Sequence, residues 1–137
     1  MTEKEKSEVK MVILVRKDLA MTPGKVAAQV AHAVLKVFMD KSVLSWDEHL
    51  GDHRRVPTPV YITEWLQGSY AKVCLTVESE AEMLELVAKS ESSKIWTTVI
   101  TDEGRTCLHG QHKTVAAIGP YYTDAINLIT GHLKLYR

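Results

Sequence analysis

The chain has 137 residues, 45% hydrophobic and 25% charged, which is the size and balance of one compact domain with a buried core. Its 17 basic and 17 acidic side chains cancel, so any surface that attracts nucleic acid must be a local basic patch. No apolar run approaches the ~20 residues that span a bilayer, and the charged start MTEKEKSEVK is unlike a signal peptide, so we expect a cytoplasmic protein without membrane contact.

The first elements are a tail, a strand and a helix. Residues 1–8 are expected to form a flexible tail that precedes a single domain at 9–137. The run VKMVILVR, residues 9–16, is typical of a strand covered on both faces. A helix is predicted from Pro23 to about residue 39 or 41, because Thr22 is a natural N-cap and proline suits the first helical turn.

Residues from about 42 to 69 predict a surface excursion. They include DEHLGDHRRVPTP, show no steady period and close in a short helix at ITEWLQ. His49 and His53 are four residues apart among acidic neighbours, which raises the possibility of a metal pair. The HExxH order is absent, and Gly51 disfavours the helix that would align the imidazoles, so a solvated loop is the preferred interpretation.

The second half of the chain alternates strands and helices. Strands are predicted at 70–77, 94–101 and 113–119, and helices at 79–90 and 123–130. Ser79 with Glu82 forms a capping box at the start of the first of these helices. Too few residues separate the last two strands for a crossover helix, so we expect them to be neighbours. This order implies an α/β fold with a mixed sheet.

The two cysteines exclude some chemistry. Cys74 and Cys107 stand far apart without a CxxC pattern, which argues against a disulfide framework and against a thiolate zinc site. We expect both to be reduced thiols.

Lys25 is unfavourable where it stands, in the first turn of the predicted helix. The positive end of the helix dipole repels a cation there, and Gly24 beside it costs about 1 kcal/mol relative to alanine. Lys25 begins a polar stripe that continues through Gln29, His32 and Lys36 and is either a solvated face or an anion-binding site. On this basis Lys25→Ala is expected to leave stability unchanged or slightly raised.

A carboxylate follows the third predicted strand. Asp102 begins the segment DEGRT, at the sheet edge where α/β proteins bind ligands. Aspartate and glycine are also ordinary turn residues, so a plain turn is the competing interpretation.

Four blocks together resemble the type II peptidyl-tRNA hydrolase family. They are VRKDLAMTPGKVAAQVAHA, TDEGRT, KTVAAIGP and TGHLKL, in the family's order across most of the chain. The resemblance implies a mixed four-stranded sheet flanked by helices on both faces, a homodimer, and cleavage of the ester between a peptide and the terminal ribose of tRNA. It implies no metal and no organic cofactor. The matching positions are Lys25, Gln29 and His32 on the helix, Asp102, Gly104 and Thr106 in the DxGxT block, and Thr114 on the last strand.

The family roles suggest a water-based mechanism. Asp102 would orient or deprotonate water, while Lys25 would neutralise developing charge or hold a phosphate. Thr106, Thr114 and Gln29 would supply hydrogen bonds, and His32 is either a general acid or a structural residue. Gly24, Gly104, Arg105 and Lys113 are expected to contact the substrate, with Lys17 as a further phosphate contact. The family has glutamine at position 107 and Pro-Gly at 109–110, where this chain has Cys107 and His109-Gly110.

Two other functions stay open. The same fold could serve as a non-catalytic adaptor that binds RNA or protein. A metal-dependent hydrolase built on His49 and His53 is the weaker alternative.

Overall fold

The computed structural model describes residues 8–103 and 110–137. Its elements in chain order are β1 (Val9–Arg16), α1 (Pro23–Met39), β2 (Val43–Asp47), β3 (Gly51–Arg55), α2 (Val60–Gln67), β4 (Lys72–Val77), α3 (Glu80–Ser92), β5 (Thr97–Asp102), β6 (His112–Tyr122) and α4 (Thr123–Thr130). None of these four helices has the length and apolarity that crossing a bilayer requires. The predicted α/β fold is confirmed.

Four strands form one mixed sheet in the order β4-β1-β6-β5. β1 runs parallel to β4 and antiparallel to β6, and β6 runs antiparallel to β5, which confirms that the last two strands are neighbours. The open edge of β4 is covered by the last residues of the chain, since Thr76 N donates to Lys134 O and Tyr136 N donates to Cys74 O. β5, the strand that ends in Asp102, forms the other edge of the sheet.

Helices cover both faces of the sheet because β1 and β6 are apolar on both sides. Alternate side chains of β1 enter two different clusters, Ile13 on one face and Leu14 on the other. The Ile13 face is covered by α1 and by α2, which contributes the buried Trp65. The Leu14 face is covered by α3 and α4. A strand buried on both faces reads as a continuous apolar run, as VKMVILVR does.

The segment from 42 to 69 contains a hairpin and a core helix. β2 and β3 pair as a separate two-stranded sheet whose turn ends at Gly51, in a left-handed conformation with φ of +67° that glycine adopts readily. Within the described ranges, neither strand packs on another helix or strand. α2 behaves differently, since Ile62 and Trp65 are buried and Trp65 Nε1 donates to Ala71 O. The short helix predicted here is therefore present, whereas the hairpin was not predicted.

Candidate functional site

The start of α1 has the predicted cap. Thr22 precedes the helix with extended backbone, and its Oγ1 accepts a hydrogen bond from Lys25 N at 3.3 Å. Pro23 occupies the first helical turn, where its missing N–H removes no helical hydrogen bond. α1 packs against β5 and β6 and buries Gln29, Ala33 and Val37. The cap therefore fixes where Lys25 projects relative to the sheet.

Lys25 forms an ion pair with Asp102. The Lys25 Nζ lies 3.1 Å from Asp102 Oδ1, and the two side chains are only 11% and 7% exposed. The pair joins the first turn of α1 to the last residue of β5, so α1 runs antiparallel to that strand. The carboxylate explains how the helix tolerates a cation at its positive end, because Coulomb attraction between partly desolvated charges exceeds the roughly 0.3–1 kcal/mol of dipole repulsion.

Two oxygens beside this pair are buried without a partner. Among the described residues, neither Asp102 Oδ2 nor Gln29 Oε1 has a hydrogen-bond donor. Gln29 stands one helical turn after Lys25 on the same side of α1 and is 3% exposed. A buried acceptor without a donor costs about 1–3 kcal/mol, so such groups are uncommon in a purely structural role. Both atoms can accept a hydrogen bond from an O–H or N–H group.

Thr114 and Lys113 lie on the strand next to Asp102. Thr114 is fully buried, and its Oγ1 donates to Ile100 O at 3.4 Å, so among the described residues it braces β5 rather than the Asp102 carboxylate. Lys113 pairs in register with Thr101, the residue before Asp102. Both residues therefore lie beside the end of β5 that carries the carboxylate.

Arg16 is a residue of this region that the sequence did not single out. Its guanidinium is largely buried at the end of β1 and binds both carboxylate oxygens of Asp18, at 3.1 and 2.6 Å. Its Nη1 also donates to Lys113 O at 3.1 Å. Arg16 thus ties the end of β1 to the start of β6 and supports the strand beside Asp102. A single arginine at a strand end carries no pattern that would reveal this role.

Of the remaining predicted site residues, some are exposed on α1 and others lie outside the described residues. His32 is exposed on α1, and Gly24 is exposed with no atom within 4 Å of where a Cβ would lie, so packing does not require a glycine there. Gly104, Arg105 and Thr106 lie outside the described residues, as does Cys107.

Among the residues that the structure describes, the histidines of the hairpin belong to no cluster of metal ligands. His53 Nδ1 lies 3.1 Å from Gly51 O and 3.9 Å from Asp47 Oδ2, while His49 is exposed in the turn. Within residues 8–103 and 110–137, no three His, Cys, Asp or Glu side chains come together as metal ligands would.

Cys74 is a free cysteine that is half-buried on β4. Burial raises the pKa of its thiol, an effect that the nearby charge of Lys72 only partly offsets. A raised pKa reduces the thiolate fraction at neutral pH, so Cys74 is a poor nucleophile.

Comparisons with known proteins agree with the resemblance read from the sequence. The family model of peptidyl-tRNA hydrolase PTH2 matches residues 9–136. The peptidyl-tRNA hydrolase of Methanocaldococcus jannaschii is 35% identical over 127 residues, which cover 93% of this chain and 99% of that protein. The protein of the same name from Metallosphaera sedula is 40% identical over 128 residues, with 93% and 99% coverage.

Peptidyl-tRNA hydrolase 2 of Saccharomyces cerevisiae is 37% identical over 131 residues, 94% of this chain but only 59% of the yeast protein. A solved structure of a protein of unknown function from Agrobacterium strain C58, Atu0240, matches with a TM-score of 0.56 at 12% identity. That match covers 94% of this chain and 98% of the other, and shows a likeness of fold alone. From the family model and the two archaeal relatives together, the chain belongs to the peptidyl-tRNA hydrolase PTH2 family.

Proposed function

We propose that this chain hydrolyses the ester bond between a peptide and the terminal ribose of tRNA, and so recycles tRNA from peptides released early by the ribosome. Family membership and the names of the archaeal relatives support the activity. The structural observation that carries the proposal is the Lys25–Asp102 pair, in which one carboxylate oxygen is held by an ammonium and the other has no donor among the described residues.

In the proposed mechanism, Asp102 activates water. Its Oδ2 accepts a hydrogen bond from a water molecule, while Lys25 fixes the carboxylate through Oδ1. As the water oxygen attacks the ester carbonyl carbon, its proton passes to Asp102 and negative charge develops on the carbonyl oxygen. Lys25, at the positive end of α1, stabilises that charge. When the bond to the ribose oxygen breaks, the proton returns from Asp102 to the departing oxygen.

Gln29 and His32 would have unequal parts in this scheme. The unpaired Oε1 of Gln29 can accept a hydrogen bond from the neighbouring ribose hydroxyl, which would orient the leaving group. His32 is exposed and stands seven residues after Lys25, about 10 Å farther along the helix axis. That distance favours contact with the substrate over proton transfer at the ester.

The tRNA end would be held by cations around the pair. Lys25 and Lys113 border the carboxyl end of β5, and Lys17 follows the carboxyl end of β1, which lies at the same end of the sheet; its Nζ donates to Arg137 O. Arg105 and Thr106 retain the substrate-binding and hydrogen-bonding roles that the family motif implies. Because phosphate contacts release counterions, the affinity for tRNA should fall as salt concentration rises.

The decisive experiment compares two substrates and one variant. Wild-type protein should cleave N-acetylaminoacyl-tRNA and spare aminoacyl-tRNA with a free amino group. Asp102→Asn keeps the shape of the side chain and removes its charge, so single-turnover cleavage should fall ~10²-fold or more with little change in tRNA binding. If wild-type protein binds tRNA but cleaves neither substrate, the adaptor function replaces the enzyme. If Asp102→Asn cleaves at the wild-type rate, the carboxylate is not the base.

We further propose that the enzyme is a homodimer that buries the groove between α1 and β4. This groove encloses about 1040 Å³ and is lined mainly by apolar side chains, among them Val30, Val34 and Tyr136. It lies on the side of α1 away from Lys25 and Gln29, so association would leave the active site open. Ala31 lines the groove and is exposed, so Ala31→Glu should convert a dimer to a monomer in analytical ultracentrifugation. An unchanged mass would contradict this choice of surface.

A further inference from the structure

The two longest helices of this neutral protein, one on each face of the sheet, carry opposite charge. α1 has two lysines, one histidine and no carboxylate. α3, on the other face of the sheet, has four glutamates and one lysine. α3 therefore repels a polyanion more strongly than α1 does, even though Lys25 and Lys36 are paired with Asp102 and Asp40.

Exposed basic side chains continue along α1 from the active site. His32 and Lys36 lie on the same side of the helix as Lys25, and Lys41 follows the helix end. Lys36 Nζ contacts both Asp40 and Thr98, but its side chain is still half-exposed. The 17 residues of α1 span about 25 Å, so these side chains lead well beyond the Lys25–Asp102 pair.

The β2–β3 hairpin stands at the far end of this line of basic side chains. Leu44 lies opposite Arg54 on one face of the hairpin, and Trp46 lies next along the same face with 66% of its surface exposed. A two-stranded hairpin that packs on nothing else is marginally stable in water, and an exposed tryptophan on it adds apolar surface in contact with solvent. A flat apolar group that covers Trp46 would remove this apolar surface from water and give the hairpin a packing partner.

We propose that the body of the tRNA docks on this α1 face, from Lys25 past His32, Lys36 and Lys41 to the hairpin. There Trp46 stacks on an unpaired base, while Arg54, on the same face of the hairpin, binds a phosphate. The inference rests on the proposed function, which supplies a polyanion far longer than the ester site. A helix without carboxylates that leads to an exposed aromatic side chain near Arg54 fits RNA better than an acidic or purely apolar protein surface.

The acidic residues of the hairpin lie mainly toward its turn. Asp47 is engaged there, because its Oδ1 accepts hydrogen bonds from His49 N and Leu50 N. Glu48 is in the turn, and Asp52 is opposite Trp46 near the turn end. Arg54 is at the base, paired with Leu44, so the phosphate contact is placed at the base of the hairpin.

The test uses two substrates that differ only in the size of the RNA. One is full-length N-acetylaminoacyl-tRNA, and the other is the same ester on a short oligonucleotide with the tRNA 3′ sequence. Arg54→Glu and Trp46→Ala are compared with matched controls on the opposite face, Lys89→Glu on α3 and Leu128→Ala on α4. Lys89 and Leu128 are both exposed, and Leu128 is 89% exposed. Affinity for uncharged tRNA is measured in parallel, because it does not depend on catalysis.

Arg54→Glu and Trp46→Ala should each raise KM for the full-length substrate about 5- to 10-fold, with kcat and the short substrate unchanged. Affinity for uncharged tRNA should fall by the same factor, and Arg54→Glu should reduce its salt dependence by about one phosphate contact. Neither control should have these effects. The proposal is overturned if both variants bind tRNA like wild type, if they lose both substrates equally, or if they change only the oligomeric state. Failure of wild-type protein to cleave either ester, with tRNA binding still dependent on Arg54, would overturn the proposed function and leave this docking face standing.

Discussion

Helices α1 and α3 cover opposite faces of one sheet and use their polar residues in different ways. In α3, Ser79 Oγ accepts from Glu82 N, and Glu82 Oε1 accepts from Glu78 N. Acidic residues occupy its first turn and Lys89 its last, with Lys89 paired to Glu85 at 3.5 Å. Each polar group of α3 named here is thus satisfied close by in sequence, in agreement with capping and dipole rules.

α1 departs from the same rules at the positions assigned to the active site. Its first turn holds Lys25 and no acidic residue, and its buried face holds Gln29 with an unpaired oxygen. The partner of Lys25 is Asp102, on a distant strand. The positions of the polar residues of α3 are therefore explained by helix stability, whereas those of Lys25 and Gln29 on α1 are not.

Among the variants that test this difference between α1 and α3, Lys25→Ala is expected to have the largest effect on turnover and stability. Turnover should fall ~10²-fold or more, because the charge that stabilises the oxyanion is removed. Stability should also fall, by about 3–5 kcal/mol, because Asp102 would remain buried without its counter-ion. The expectation of unchanged stability, drawn from the helix dipole alone, is therefore replaced.

Lys89→Ala on α3 is the matched control for Lys25→Ala. It removes an exposed pair with Glu85 and should change stability by less than about 0.5 kcal/mol, with no change in turnover. Chemical denaturation and single-turnover kinetics measure both variants. Equal losses of stability for the two lysine variants would show that the buried Lys25–Asp102 pair contributes no more to stability than the exposed Lys89–Glu85 pair.

An opposite effect on stability is expected from Gln29→Met. The substitution keeps the approximate volume and removes a buried acceptor that lacks a donor, so stability should rise by up to about 1 kcal/mol. Turnover should fall about 10-fold, because the ribose hydroxyl loses its acceptor. The control is Ser90→Ala on α3, where the buried Oγ donates to Leu86 O, and which should leave turnover intact. Thermal melts that place Gln29→Met below wild type would assign Gln29 to the core.

The smallest expected effect on stability comes from Asp40, at the C-terminal end of α1. Burial alone would raise the pKa of Asp40, but hydrogen bonds from Thr98 and Lys36, with the charges of Lys36 and Lys41, lower it. A lowered pKa in the folded state stabilises the protein above the ordinary carboxyl pKa of about 4, and this contribution is lost as pH falls through the folded value.

Asp40→Asn should therefore reduce stability at pH 7 by about 0.5 kcal/mol or less, since the side chain is partly exposed and solvent screens the pair. The difference from wild type should shrink as pH falls below the ordinary carboxyl pKa of about 4 in urea denaturation. A difference that does not shrink would mean that Asp40 acts by shape and not by charge.

Local patterns were sufficient for most of the fold. Thr22 and Pro23 marked the start of α1, Ser79 and Glu82 that of α3, and Asp102 was correctly placed at the end of a strand. These features depend on neighbours within four residues, which a sequence displays directly. The contact between Lys25 and Asp102 depends on α1 packing antiparallel on β5, and no local pattern records that arrangement.

The β2–β3 hairpin was missed for a different physical reason. A strand reveals itself by alternation only when one face is buried, and both faces of this hairpin are largely exposed. Val43, Leu44 and Trp46 therefore follow no inward and outward order that a core would impose. The prediction fails where the chain forms regular structure without a core to pack on.

The strand order also determines when Lys25 and Asp102, the proposed catalytic groups, can meet during folding. Within the described residues, β5, which carries Asp102, joins the sheet only through β6, the last of its four strands to be synthesised. β1, the first strand synthesised, likewise obtains its second neighbour only when β6 arrives. Pairings of such long sequence separation form slowly. A nascent chain that lacks β6 therefore holds Lys25 and Asp102 on unconnected segments, and hydrolytic competence should appear in one late step with the closing of the sheet.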